Sequence, residues 1–149
     1  MEDVLLDQLD VTTIPKSIHT WLLEAEKDVK VTEDNYIEKQ MEQGNICLKY
    51  VRYKYKYAVL LEEAKKDLDQ FVAEKYIQYD KGSKLTDEKY KLRLVQADPD
   101  HLLKVKHIAR LQAVFDMITD TLKVADKIGY CVNNIISENN YKLKLERGI

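Results

Sequence analysis

From Thr32 to Tyr79 the chain runs without a proline and with one glycine, Gly44. Proline and glycine are the residues that stop helices and turn strands. So long a run without them excludes a fold of many short strands and predicts one long helix. The whole chain has only 4 Gly and 2 Pro in 149 residues, with 34% charged side chains, a composition of long helices rather than of turn-rich β structure. Its length suits one ordinary domain or one extended helical subunit.

Inside that run lies "KYVRYKYKYAVLL" (49–61), four cations and four tyrosines interleaved. As a strand, Tyr53, Tyr55 and Tyr57 would share one face and Arg52, Lys54 and Lys56 the other. Immediately downstream, Tyr57, Leu61, Ala64, Leu68 and Phe71 recur at steps of four and three, the spacing of a helical seam. No turn signal separates the two, so the stretch reads as helix, with an alternating strand as the alternative. Tyr50, Tyr53 and Tyr57 then form a packing stripe, and Lys49, Arg52 and Lys56 a separate outward basic ridge.

Around this helix the punctuation is sparse. Val4 to Leu9 reads as a short amphipathic helix. Thr13 and Pro15 open a second, with Ile18, Trp21, Leu22 and Ala25 on its apolar face. Thr32 is the expected N-cap of the long helix, with Glu33 and Asp34 in its first turn, and Gly82 its expected C-terminal stop. "KYKLRL" (89–94) alternates, so residues 88–95 read as a short extended segment or a short helix. Asp98 and Pro99 supply an N-cap and first-turn residue. Beyond them Ile108, Leu111, Phe115, Ile118, Leu122, Ala125, Gly129, Val132 and Ile136 keep one heptad phase. This predicts a single helix to about residue 140, with Gly129 on the seam where a helix can approach closely; a stop at Gly129 is the alternative.

The expected fold is all-α. Two long antiparallel helices form a hairpin, with the N-terminal helices alongside, in a single domain: acidic helices over 1–31, a long helix over 32–80, a basic connector over 81–97, a second long helix over 98–140 and a tail over 141–149. Apolar seams on both long helices exceed what one thin hairpin covers, which predicts self-association.

Little catalytic chemistry is legible. The glycines are isolated, so there is no phosphate-binding loop or dinucleotide fingerprint. His19, His101 and His107 lack metal-ligand spacing, and Asp98, Asp100 and His101 make a poor cation site because Asp98 is already a cap. No Ser, Thr or Cys has a recognisable base partner. The chain reads as no enzyme, with no cofactor and no metal. Cys47 and Cys131 read as two buried thiols of a reducing compartment. The acidic start and the lack of a long apolar run predict a soluble, intracellular protein with no membrane partner.

Charge is where the sequence speaks. Net charge is only −2, yet residues 1–48 hold eleven acids and four bases while residues 49–93 hold twelve bases and eight acids. An acidic first third precedes a basic middle. In that middle, Lys75 with Tyr76 and Tyr79, then Lys81, Lys84, Lys89, Lys91 and Arg93, interleave cations with aromatic rings. Cations neutralise phosphates and rings stack on unpaired bases without demanding a sequence. Together with Lys49, Arg52 and Lys56 they are the candidate DNA-binding residues. Lysines that merely solvate helix faces are the competing explanation, in a structural scaffold or adaptor.

Three segments, "EKYIQYDKGSK" (74–84), "LVQADPDHLLKVK" (94–106) and "DKIGYCVNNI" (126–135), resemble, in order and spacing, landmarks of the UvsY family of tailed-phage recombination mediators. The resemblance covers about residues 50–140. It implies a ring-forming helical protein in the cytoplasm of an infected bacterial host. Such a protein binds single-stranded DNA and helps a RecA-like recombinase replace single-strand-binding protein. Family DNA-binding positions are the basic residues just before the aromatic pair; here that place reads "FVAEKYIQY", where Lys75 is the one clear match.

Overall fold

A computed structural model describes residues 18–82 and 87–148. The described residues are helical, with no strand among them. The elements are α1 (Ile18–Val29), α2 (Tyr36–Gly82), α3 (Glu88–Ala97), α4 (Pro99–Asp126) and α5 (Ile128–Glu146). The segment expected as a helix over Val4 to Leu9, the cap at Thr13 and Pro15, and Lys84 lie outside the described residues. At 47 residues, α2 is about 70 Å long measured along its own, bent axis, at 1.5 Å per residue. The tyrosine–lysine stretch lies within it, as the seam predicted.

The boundaries differ from expectation for local reasons. Thr32 is no cap: its backbone N–H donates to Asn35 Oδ1 at 2.8 Å, and Asn35 Nδ2 donates to the Lys30 carbonyl at 3.1 Å. Asn35 thus closes a turn between α1 and α2, and its own carbonyl accepts the first helical bond, from Lys39 N–H. The extended alternative for residues 88–95 is corrected to a helix, α3, whose N-cap Asp87 accepts from Lys89 N–H at 3.0 Å. Asp98 ends α3 and starts α4. Its N–H reaches the Val95 carbonyl, and its Oδ1 accepts from Asp100 N–H at 2.8 Å, with Pro99 the first helical residue as expected. The single helix to residue 140 is corrected to two. Lys127, at φ −93° and ψ 0°, interrupts it two residues before Gly129, and α5 runs on to Glu146, where Gly148 at φ 66° takes the left-handed turn.

Burial corrects the seam of α4 and α5. Leu111, Ile118, Ala125 and Val132 are buried as read, but the positions between them are Val114, Thr121 and Ile128, each one residue before the expected Phe115, Leu122 and Gly129. Large apolar side chains at 115 and 122 masked the smaller residues that pack. Thr121 is tolerated because its hydroxyl donates to the Met117 carbonyl at 2.8 Å. On α1, Trp21 and Ala25 are buried while Ile18 and Leu22 face solvent. Cys131 is exposed and Cys47 half-buried, which corrects the pair of buried thiols.

The chain divides into two compact units, Met1–Arg52 with Met117–Ile149, and Tyr53–Asp116. In the first, α1 lies on the start of α2, and the Gln43 side-chain amide donates to the Ala125 and Asp126 carbonyls at 3.2 and 3.3 Å, closing the end of α4. A Cβ on Gly129 would come within 3.4 Å of Gln43 Oε1, so the glycine does sit at a close approach, against a glutamine. In the second unit, Lys54 lies over Phe115, Asp67 pairs with Lys104, Phe71 meets His101 and Lys75 reaches Asp98. Those partners run in reverse order, so the α2 and α4 segments of this unit are antiparallel.

Candidate nucleic-acid interface

The stretch at 49–57 is built around Tyr50, which is fully buried and donates its hydroxyl to Asp28 Oδ2 at 2.8 Å. Tyr57 is buried and Tyr53 half-buried, so the tyrosine stripe is packing, as its spacing predicted. The cation stripe beside it is not a uniform outward ridge. Lys49 Nζ lies 2.7 Å from both Glu24 Oε1 and Asp28 Oδ2, a bidentate acid clamp supplied by successive turns of α1. Burial favours the neutral forms, but the clamp outweighs it on both sides: Lys49 is held above its ordinary pKa and Asp28 below its own. Lys56 is half-buried, and desolvation lowers its pKa. Arg52 is exposed, and both it and Lys56 make further contacts within the chain.

In the second unit the candidates separate into tied and open cations. Lys75 Nζ stands 3.7 Å from the capping carboxylate of Asp98 and 5.8 Å from the Phe71 ring centre. Lys91 is buried, ion-paired to Asp80, and its ammonium covers the Tyr76 ring at 5.8 Å; the Asp80 hydrogen bond raises its pKa. Tyr76 and Tyr79 are half-buried, and Tyr79 makes contacts of its own. One face of Tyr76 is therefore already occupied by a cation.

The open set is Lys81, Lys89 and Arg93. All three are exposed, and among the described residues no ion pair holds them. Helical geometry explains the split on α3. Lys91 and Val95 are one turn apart and buried, while Lys89 and Arg93 sit about 200° round from Lys91. Sequence reasoning passed over further exposed cations, among them Lys106 and Arg110 on α4, whose spacing of four was the available signal. It also missed the clamp, although Glu24 and Asp28 share that spacing on an acidic helix. Among the described residues no cluster of His, Cys, Asp and Glu could hold a metal ion, and no helix is long and apolar enough to cross a membrane. The chain matches no family model, no curated protein and no solved structure.

Proposed function

We propose that this protein is a recombination mediator of tailed-phage type. It binds single-stranded DNA and promotes loading of a RecA-like recombinase in place of single-strand-binding protein, in the cytoplasm of an infected bacterial host. It works as a homo-oligomeric ring of about six or seven copies, as the UvsY resemblance implies. The observation that carries the DNA reading is the open cation face of Lys89 and Arg93 on α3, with Lys81 at the end of α2. Lys89 and Arg93 fall between the first two of the three segments that resemble the family, and Lys81 lies within the first. Open cations release counterions when they meet phosphates, so the logarithm of single-strand affinity falls linearly with log salt, with a slope of about 0.7 per phosphate neutralised.

A structural scaffold is the second reading. The clamps on Lys49, Lys75 and Lys91 favour it, since a cation already neutralised by its own chain adds little to a phosphate surface. Fluorescence anisotropy with an unstructured oligonucleotide across a salt series separates the two. The expected result is salt-sensitive binding, with the slope reduced by about 2 when Lys81, Lys89 and Arg93 are all replaced by alanine. No binding at low salt overturns the mediator reading and leaves the scaffold.

A further inference from the structure

The first part of α2 carries a second heptad stripe, which is exposed among the described residues. Ile37, Met41, Gly44, Leu48 and Val51 recur at steps of four and three, and Leu48 points about 200° away from the buried Ile46 and Tyr50. Ile37 is 62% exposed, Met41 80%, and Leu48 and Val51 48% each. Gly44 is exposed, and a Cβ built on it would meet nothing within 4 Å. Regular apolar positions on the water side of a helix are the pattern of a helix–helix seam without its second helix.

We propose that this stripe pairs with the same stripe of a second copy, antiparallel about a two-fold axis near residue 46. The order of side chains selects that partner and that direction. In an antiparallel pair centred there, Leu48 falls opposite Gly44 of the second copy and Met41 opposite Val51, and symmetry repeats both contacts. Each leucine enters the gap that a missing side chain leaves. On the flank, Glu38 falls beside Arg52 of the second copy, opposite charges at both ends of the seam. A parallel pair would instead set glycine against glycine, leaving a void. The contact is isologous and closes on two copies, so it is separate from the rotational contact that builds a ring. It does not depend on DNA binding.

Cysteine cross-linking tests the register. With Cys47 and Cys131 replaced by serine, full-length Met41→Cys and Val51→Cys proteins are oxidised separately and as a mixture. Antiparallel pairing brings residue 41 to residue 51 of the other copy but holds two copies of residue 41 about 15 Å apart along the axis, beyond disulfide reach. The mixture should cross-link and neither protein alone should. Cross-linking of Met41→Cys alone, or none in the mixture, overturns the proposal. In sedimentation, Met41→Glu with Leu48→Glu should halve the assembly mass with helicity unchanged, because both side chains face solvent in the single chain. An unchanged mass also overturns it, as does a wild-type monomer at tens of micromolar.

Discussion

Lys49 and Lys89 are the same residue type on helices of the same basic third, and the fold treats them in opposite ways. Lys49 sits between two carboxylates at 2.7 Å, beside a tyrosine whose hydroxyl completes the shell of Asp28. Lys89 stands in solvent on the far side of α3 from Lys91. The first is a fastener joining α1 to α2; the second is a charge left for something else. A basic stretch is therefore not a measure of a binding surface. What matters is how many of its charges the chain has already neutralised, and by that measure the densest cation cluster in the sequence is the less available one.

Removing the centre of the fastened region is the severest way to break this contrast. Tyr50→Ala deletes a fully buried ring and leaves Asp28 without its hydroxyl donor. A loss of about 3–5 kcal/mol follows, as for large aromatic truncations in cores, read as a drop in denaturant midpoint. DNA affinity per folded molecule should stay as it was. If affinity collapsed while stability held, the ring would belong to a ligand surface and the contrast would fail.

A matched pair of substitutions sharpens it. Lys49→Met leaves Glu24 and Asp28 facing each other with no cation between them, at a cost of about 1–3 kcal/mol, while the salt slope of DNA binding should not change. Lys89→Met should do the reverse: stability within about 0.5 kcal/mol, and a salt slope lower by about 0.7. Equal effects of the two substitutions on the slope would put both lysines on one phosphate path.

How much of this was legible in the sequence follows from the range of the forces involved. The helical state of residues 49–61 was readable because periodicity is local, and Asp98–Pro99 because a cap and its first turn are adjacent. The phase of α4 was misread because Phe115 and Leu122 look more buriable than Val114 and Thr121; which side of a helix packs depends on what lies across from it. The clamp on Lys49 was not legible for the same reason, since its partners Glu24 and Asp28 are remote in sequence and the turn at Asn35 brings them to it. The helix break at Lys127 carries no glycine or proline. There the side-chain amide of Gln43, far away in sequence, donates to the Ala125 and Asp126 carbonyls at the end of α4.

The smallest expected effect concerns the acid side of the fastener. Burial raises the Asp28 pKa, but hydrogen bonds from Lys49 and Tyr50 and the Lys49 charge bring it below its ordinary value. A depressed carboxylate contributes stability that is present above its unfolded pKa, about 3.9, and is lost as pH falls through the folded value. Lys49, held above its ordinary value, contributes below about pH 10.4 and loses its contribution only in stronger alkali. Between those limits the clamp is insensitive to pH. Trp21 is the chain's only tryptophan, buried on the helix that carries both acids, so its fluorescence reports whether α1 stays in place. On acidification it should hold steady through the ordinary carboxylate range and change only below it, and Asp28→Asn should abolish that step while leaving the global acid transition. A step that survives Asp28→Asn would mean that other carboxylates hold α1, and that Lys49 is more open to outside anions than its two short ion pairs suggest.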